Sequence, residues 1–173
     1  MHPIEVRSAL DGMVCLVDTR EQDTPRFRKR LEQMGVPWER RKLDFGDYSA
    51  YFPLPGGGCL DLSNQSVVER KMSLDELCNC YCKDRPRFTR EFERARKSGA
   101  KVYLLVENGS WEKAYSGAYR SRMRPEALVA SITAWLARYS CQLLFCEPDT
   151  SGRLIREVLY RDGKERLEAL VNE

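Results

Sequence analysis

Three short runs dominated by apolar residues constrain the fold of this chain most strongly. They are MVCLVD at 13–18, VYLLVE at 102–107 and CQLLFC at 141–146. A strand with one face in water alternates apolar and polar side chains, whereas a strand covered on both faces is apolar throughout. The three runs therefore predict buried strands in a sheet that has helices on both sides.

Helical patterns separate these runs. Thr24 and Pro25 provide an N-cap and a first-turn proline, Ser73 begins a capping box directly after the strand VVERK, and Pro125 opens a further helix. Residues 36–53 predict two short extended segments, the second of which enters a glycine-rich hairpin. The predicted order is β-α-β-β-β-α-β-α-β-α, which is typical of an α/β domain.

Length and composition indicate one globular domain. The chain has 173 residues, of which 42% are hydrophobic and 32% charged, and no apolar run approaches the roughly 20 residues of a membrane helix. The N-terminus lacks the apolar stretch of a signal peptide, so we expect a cytoplasmic protein without a membrane partner. Seven cysteines form an odd set, which predicts free thiols in a reducing compartment.

The single histidine, His2, limits the chemistry that the chain can perform. Ser-His-Asp triads, HExxH metal sites and other histidine-dependent nuclease designs are excluded. Any reaction must therefore use carboxylates, lysine and arginine.

A charged end of a predicted strand, VVERK at 67–71, is the main candidate site. Side chains alternate along a strand, so Glu69 and Lys71 share one face and Arg70 points to the other. Asp47 follows the turn at Gly46 in a strand predicted to pair with this one. In open α/β sheets, ligand sites favour such strand ends.

Asp18, Asp47 and Glu69 are predicted to converge at this sheet edge. Three carboxylates repel one another unless a cation lies among them, and oxygen-only ligand sets select Mg²⁺ or Mn²⁺. Such a metal can activate water, while Lys71 can stabilise developing negative charge. The alternative is a surface ion pair between Glu69 and Lys71, with Asp75 serving only as a first-turn helix residue.

The same residues resemble a known signature. Gly-Asp at 46–47, Glu-Arg-Lys at 69–71 and Asp75 after three intervening residues are similar to the G-D-Xn-E-R-K-X3-D motif of XPF-type structure-specific endonucleases, a branch of the PD-(D/E)XK nucleases. The run VDTRE at 17–21 resembles the opening V-D-x-R-E strand of that family. Weaker likenesses occur in KDRPRF and in LVE at 105–107.

The resemblance implies the restriction-endonuclease-like fold, with a central mixed sheet flanked by helices. It implies a DNA endonuclease that uses Mg²⁺ or Mn²⁺, needs no organic cofactor, cuts branched or single-strand/duplex junction DNA during repair or recombination, and allows a homodimer. Usual members continue into a helix-hairpin-helix domain, and some carry a helicase. Here we expect a stand-alone nuclease domain over residues 1–173. The alternative is a non-catalytic module for DNA binding or dimerisation.

The resemblance also implies roles for individual residues. The catalytic candidates are Asp47, Glu69, Lys71 and Asp75, and the metal candidates are Asp18, Asp47 and Glu69. Arg20, Arg70 and Arg87 would hold phosphate or fix the acidic side chains, although strand alternation makes a structural role for Arg70 an equal alternative.

Residues 108–124 predict a second DNA-binding element. This Gly/Ser-rich segment, predicted as a loop, interleaves three aromatic residues with Arg120, Arg122 and Arg124. Aromatics that stack on bases and arginines that neutralise phosphates suit single-strand or distorted-duplex DNA. A loop whose aromatics pack on the domain is the alternative.

Overall fold

A computed structural model describes residues 2–171 of the chain. The strands are β1 (Val14–Val17), β2 (Trp38–Arg40), β3 (Tyr48–Pro53), β4 (Cys59–Asp61), β5 (Ser66–Lys71), β6 (Lys101–Glu107) and β7 (Gln142–Cys146). The helices are α1 (Pro3–Asp11), α2 (Pro25–Met34), α3 (Leu74–Cys82), α4 (Arg85–Ser98), α5 (Trp111–Ser116), α6 (Pro125–Tyr139) and α7 (Pro148–Ala169).

The strands form one mixed sheet in the order β2-β1-β3-β5-β6-β7, with β4 paired to β3. Strands β5, β6 and β7 run parallel to one another, whereas β3 pairs antiparallel with both β1 and β5. The three runs lie in β1, β6 and β7, and the predicted central mixed sheet flanked by helices is confirmed. The prediction of a buried strand was wrong for β7, because this strand lies at the edge of the sheet, where Gln142 is exposed and residues 143–146 are half-buried.

Two hydrophobic cores cover the two faces of the sheet. Apolar residues of α1, α2 and α7 pack on one face, together with Val68 and Leu105. Those of α3, α4 and α6 pack on the other face, together with Val67 and Leu104. Neighbouring valines of β5 therefore belong to different cores, as strand alternation requires. The same alternation decides which face receives each charged residue that follows them.

The structure contains elements that the sequence pattern did not predict. Helix α1 begins at a capping box between His2 and Glu5, and β4 forms the returning arm of the glycine-rich hairpin. The prediction that 108–124 is a loop was wrong for residues 111–116, which form α5 between a Ser110 N-cap and Gly117. That helix was missed because six residues are too few to show a helical period.

All seven cysteine side chains are free thiols, as predicted. Within residues 2–171, no helix has both the length and the apolar character needed to cross a membrane.

Candidate active site

A cleft of about 300 Å³ lies at the end of β5. Asp47 reaches it because backbone hydrogen bonds fix its strand on both sides: Asp18 N donates to Asp47 O, and Asp47 N donates to Val68 O. Gly46 has φ of 76°, and a Cβ at this position would lie 2.8 Å from Val67. Only glycine fits such a close turn, which accounts for the Gly-Asp pair. The lining residues are Arg20, Glu21, Asp47, Glu69, Arg70, Lys71, Glu76, Asn79, Cys80, Asp84, Arg87, Phe88 and Glu91.

The Asp47 carboxylate has one oxygen bound to the protein. Its Oδ2 accepts a hydrogen bond of 2.8 Å from the backbone N of Arg70. Burial, followed by the charge of Glu69, raises the pKa of Asp47 well above its ordinary value. The second oxygen, Oδ1, receives no hydrogen bond from residues 2–171 and can take a further ligand.

Glu69 and Lys71 lie side by side on the same face of β5, as predicted. Lys71 Nζ donates to Glu69 Oε1 at 2.6 Å, and both residues are buried. Burial raises the pKa of Glu69, and the charge of Glu91 raises it further against the opposing effect of Lys71. Burial disfavours the Lys71 ammonium, but Glu69 and Asp47 outweigh it and raise the pKa of that lysine. A buried pair of this kind is not the surface ion pair of the alternative prediction.

Glu91 is a cleft residue that sequence reasoning missed. It lies on α4, is buried, and accepts a hydrogen bond of 2.9 Å from Arg20 Nη1. Arg20 also donates to Asp18 Oδ1 at 2.6 Å, so one guanidinium joins β1 to α4. We call Arg20, Asp47, Glu69, Lys71 and Glu91 the cleft cluster.

Asp18 is buried beside the cleft but does not line it. Its Oδ1 accepts from both N and Nε of Arg20, and its Oδ2 accepts from Leu43 N. Burial alone would raise its pKa, but the hydrogen bonds from Arg20 and Leu43 outweigh burial and lower it. In the described part of the chain no three His, Cys, Asp or Glu side chains are close enough to share a metal ion. The three predicted ligands are therefore not brought together, and Asp47 and Glu69 remain the candidate pair.

Asp75 also lies outside the cleft. Its Oδ1 accepts hydrogen bonds from the backbone N of Arg120 and of Ser121, at 2.8 and 2.7 Å. It lines a neighbouring cavity with Arg120, Arg122 and other residues.

Arg70 takes part in a second charged cluster on the opposite face of the sheet. Its Nη1 lies 3.4 Å from Glu107 Oε2, and Arg30 Nε lies 3.4 Å from Glu107 Oε1. Arg30 also donates to Tyr48 Oη, and Tyr48 in turn donates to Glu21. We call these five residues the Arg30–Glu107 cluster. Arg70 lines the cleft as well.

The remaining predicted arginines are exposed. Arg87 lines the cleft, 4.0 Å from Glu91. Arg120, Arg122 and Arg124 lie outside it on the segment between α5 and α6. Two of the three aromatic residues predicted there pack on the domain: Trp111 lies edge-on to Phe145, with 5.9 Å between the ring centroids, and the Tyr119 hydroxyl donates to Met123 O. The third, Tyr115, is exposed.

Comparisons with known proteins identify the family. The ERCC4 domain model matches residues 17–157, which is more than half of the chain. The chain belongs to the ERCC4 domain family. This confirms the sequence-based resemblance to XPF-type nuclease domains and supports a domain of the DNA nuclease and repair type. No curated protein gives a significant match.

Two solved structures show the same fold. The structure titled "XPF from Aeropyrum pernix" is 23% identical, with a TM-score of 0.61, over 86% of this chain and 61% of that one. A second, titled "XPF from Aeropyrum pernix, complex with DNA", has the same identity and TM-score over 88% of this chain and 66% of that one. The chain thus spans less than two thirds of the length of each.

Proposed function

We propose that this chain is a divalent-metal-dependent endonuclease that hydrolyses phosphodiester bonds in DNA. The observation that carries the proposal is the pair of carboxylates, Asp47 and Glu69, that faces the cleft beside the buried ammonium of Lys71. Membership of the ERCC4 domain family supports the same reaction class.

The charge balance of the cleft fits a bound cation. The cleft cluster and the adjacent Asp18 contain four carboxylates against two cations, the exposed Arg20 and the buried Lys71. Burial raises the pKa of Asp47 and of Glu69, so ionising both costs free energy that a divalent cation would offset. Mg²⁺ is commonly held by only one or two carboxylates, with waters and substrate phosphates as its other ligands.

The residues of the cleft then have separate roles. A bound Mg²⁺ or Mn²⁺ would polarise the phosphoryl group and lower the pKa of water. Lys71, held by Glu69 at 2.6 Å, would supply a fixed positive charge that stabilises the negative charge developing in the transition state. Arg20 fixes Glu91, and the exposed Arg87 at the cleft can contact a phosphate of the bound strand.

DNA is the proposed substrate, in its branched or single-strand/duplex junction forms. One of the similar structures is a complex with DNA. The exposed arginines at positions 87, 120, 122 and 124 offer phosphate contacts outside the acidic centre.

A non-catalytic module for DNA binding or dimerisation is the second candidate. One observation favours it: no three metal-ligating side chains come together within residues 2–171. Such a module would bind DNA without a metal requirement.

Cleavage assays separate the two candidates. Labelled single-strand, duplex, flap and fork DNA would be incubated with Mg²⁺, Mn²⁺ or a chelator. We expect metal-dependent cleavage by the wild type and a loss on the order of 10²- to 10³-fold in Asp47→Asn and Lys71→Ala under single-turnover conditions. Asp23→Asn, an exposed neutralisation outside the cleft, is the control. Equal cleavage by wild type and Asp47→Asn would contradict the endonuclease proposal.

A further inference from the structure

Asp75 binds a distant segment of the chain through a single oxygen atom. Asp75 lies in the first turn of α3, whereas Arg120 and Ser121 follow α5. Both backbone N–H groups donate to Asp75 Oδ1, at 2.8 and 2.7 Å. The other oxygen, Oδ2, lies 3.9 Å from Arg120 Nε, which belongs to a side chain that is 96% exposed. The short contacts are therefore to the backbone, and the ion pair adds little.

The segment that Asp75 holds carries positive charge next to the cleft. We call residues 117–124 the basic segment. Arg120 and Arg122 line a cavity together with Lys83 and Asn79, and Asn79 also lines the cleft. The cavity and the cleft are thus neighbours, and a nucleic-acid strand in the cleft would pass these cations. Phosphodiester oxygens are the ligands that such exposed cations bind.

The position of Asp75 separates it from the acidic centre. It does not line the cleft, whereas Asp47 and Glu69 do. Its Oδ1 already accepts two hydrogen bonds from the backbone of the basic segment.

We propose that Asp75 is a positioning residue that fixes the basic segment for the phosphodiester backbone of the DNA strand bound in the cleft. The inference rests on the proposed DNA-cleaving function and deepens it. Asp75 acts through the backbone of residues 120 and 121, not on the metal or on the scissile phosphate.

Two substitutions distinguish positioning from catalysis. Asp75→Asn keeps a side-chain carbonyl oxygen that can accept from both amides, whereas Asp75→Ala keeps none. Either change removes a negative charge next to a DNA-binding surface, and charge alone would therefore tighten DNA binding in both variants. The positioning role predicts weaker DNA binding for Asp75→Ala only.

The hold on the basic segment can be measured without DNA. Trypsin cleaves after Arg120 and Arg122 once the segment opens. We expect Asp75→Ala to be cut about tenfold faster than the wild type, and Asp75→Asn to be cut at close to the wild-type rate. Equal rates in Asp75→Ala and the wild type would overturn the proposal. Circular dichroism would check that each variant is folded.

DNA affinity provides the second measurement. With fork DNA and a chelator, we expect Asp75→Ala to bind about five- to tenfold more weakly than the wild type, with a shallower salt dependence, and Asp75→Asn to bind at least as tightly as the wild type. In cleavage assays the Asp75→Ala defect should appear in KM, with the Mg²⁺ concentration for half-maximal rate unchanged. A shifted metal requirement, or a kcat loss shared by Asp75→Asn, would instead make Asp75 a catalytic residue.

Glu126→Ala is the matched control. Glu126 occupies the same position in the first turn of α6 that Asp75 occupies in α3, and it pairs with the exposed Arg124 at 3.5 Å. Its removal changes charge and helix-dipole interactions without releasing a backbone amide. We expect wild-type protease resistance for this control, and rapid cleavage of it would contradict the proposal. Because proteolysis and DNA affinity need no catalysis, these results stand even if the wild type cleaves no DNA.

Discussion

Strand β5 supplies charged residues to two clusters that lie on opposite faces of the same sheet edge. Glu69 and Lys71 enter the cleft cluster, and Arg70 between them enters the Arg30–Glu107 cluster. The Arg30–Glu107 cluster has two carboxylates and two guanidinium groups, so its charges balance. The cleft cluster has three carboxylates for one arginine and one lysine, and Asp18 adjoins it.

The difference between the clusters teaches what each is suited to do. The Arg30–Glu107 cluster balances its own charges and therefore needs no added cation, although Glu107 Oε1 and Arg70 Nε have no hydrogen-bond partner within the described residues. Its hydrogen bond from Arg30 to Tyr48 holds α2 against the sheet. An acidic excess next to a cleft leaves the site short of positive charge, and Asp47 has an oxygen that can take a ligand. The first arrangement is expected to stabilise the fold, and the second to bind a cation.

The largest expected effect concerns the stability that the Arg30–Glu107 cluster gives to the fold. Arg30→Ala should lower the free energy of unfolding by about 3–5 kcal/mol, because the buried Glu107 would lose one of its two guanidinium partners and keep only Arg70 at 3.4 Å. Urea unfolding measures this loss. Arg28→Ala on the same helix removes only an exposed ion pair with Asp23 and should leave the free energy of unfolding nearly unchanged.

A paired replacement sharpens this first prediction. Arg30→Met combined with Glu107→Leu removes both charges and should recover much of the loss, because apolar side chains can replace a buried ion pair without penalty. If Arg30→Ala lowered the free energy of unfolding no more than Arg28→Ala does, the Arg30–Glu107 cluster would not stabilise the fold.

The second prediction concerns the binding of a divalent cation by the acidic cleft cluster. Mg²⁺ at about 100 times its dissociation constant should raise the free energy of unfolding of the wild type by about 2.7 kcal/mol. Asp47→Asn should lose most of this gain, whereas Glu107→Gln, on the opposite face, should retain it. Urea unfolding in Mg²⁺ and in chelator gives both values. An equal Mg²⁺ response in Asp47→Asn and the wild type would show that the cation binds elsewhere.

Part of this arrangement could be predicted from the sequence, because it depends on local rules. Alternation along β5 places Glu69 and Lys71 together and Arg70 opposite, and the apolar runs of β1 and β6 predict strands covered on both faces. Partners that come from distant segments could not be predicted in this way. The amides bound by Asp75 are 45 and 46 residues along the chain, and no periodic pattern connects them.

Helices α2 and α4 carry a signal that could have revealed the missed residues. In α2 the buried positions are Phe27, Arg30, Leu31 and Met34, and in α4 they are Phe88, Glu91, Phe92 and Ala95. Both sets follow the i, i+3, i+4, i+7 spacing of an apolar face, with one charged residue at the second position. A charge within such a face must find a partner in the interior, and the sequence alone does not say which.

The smallest effect concerns the metal-free cleft and has a defined dependence on pH. Burial and the charge of Glu69 raise the pKa of Asp47 in the folded state, so the unfolded chain releases this proton first as pH rises. The free energy of unfolding of the wild type therefore falls as pH rises from the ordinary pKa of an aspartate to the raised pKa of folded Asp47. Above the raised pKa, the full cost of burying the ionised carboxylate is present. Asp47→Asn removes the penalty, and its advantage in chelator should grow with pH to the order of 1 kcal/mol.

Asp23→Asn is the control for this test, and its effect on stability should have the opposite sign at neutral pH. Hydrogen bonding to Arg28 lowers the pKa of the exposed Asp23, so its charge favours the folded state above the ordinary carboxylate pKa and its removal costs stability there. Urea unfolding of both variants and the wild type from pH 4 to pH 8, with chelator present, measures the two slopes. If Asp47→Asn were the less stable protein at pH 8, the Asp47 carboxylate would already be compensated by Lys71 and Arg20. The acidic excess that distinguishes the cleft cluster from the Arg30–Glu107 cluster would then not destabilise the metal-free protein.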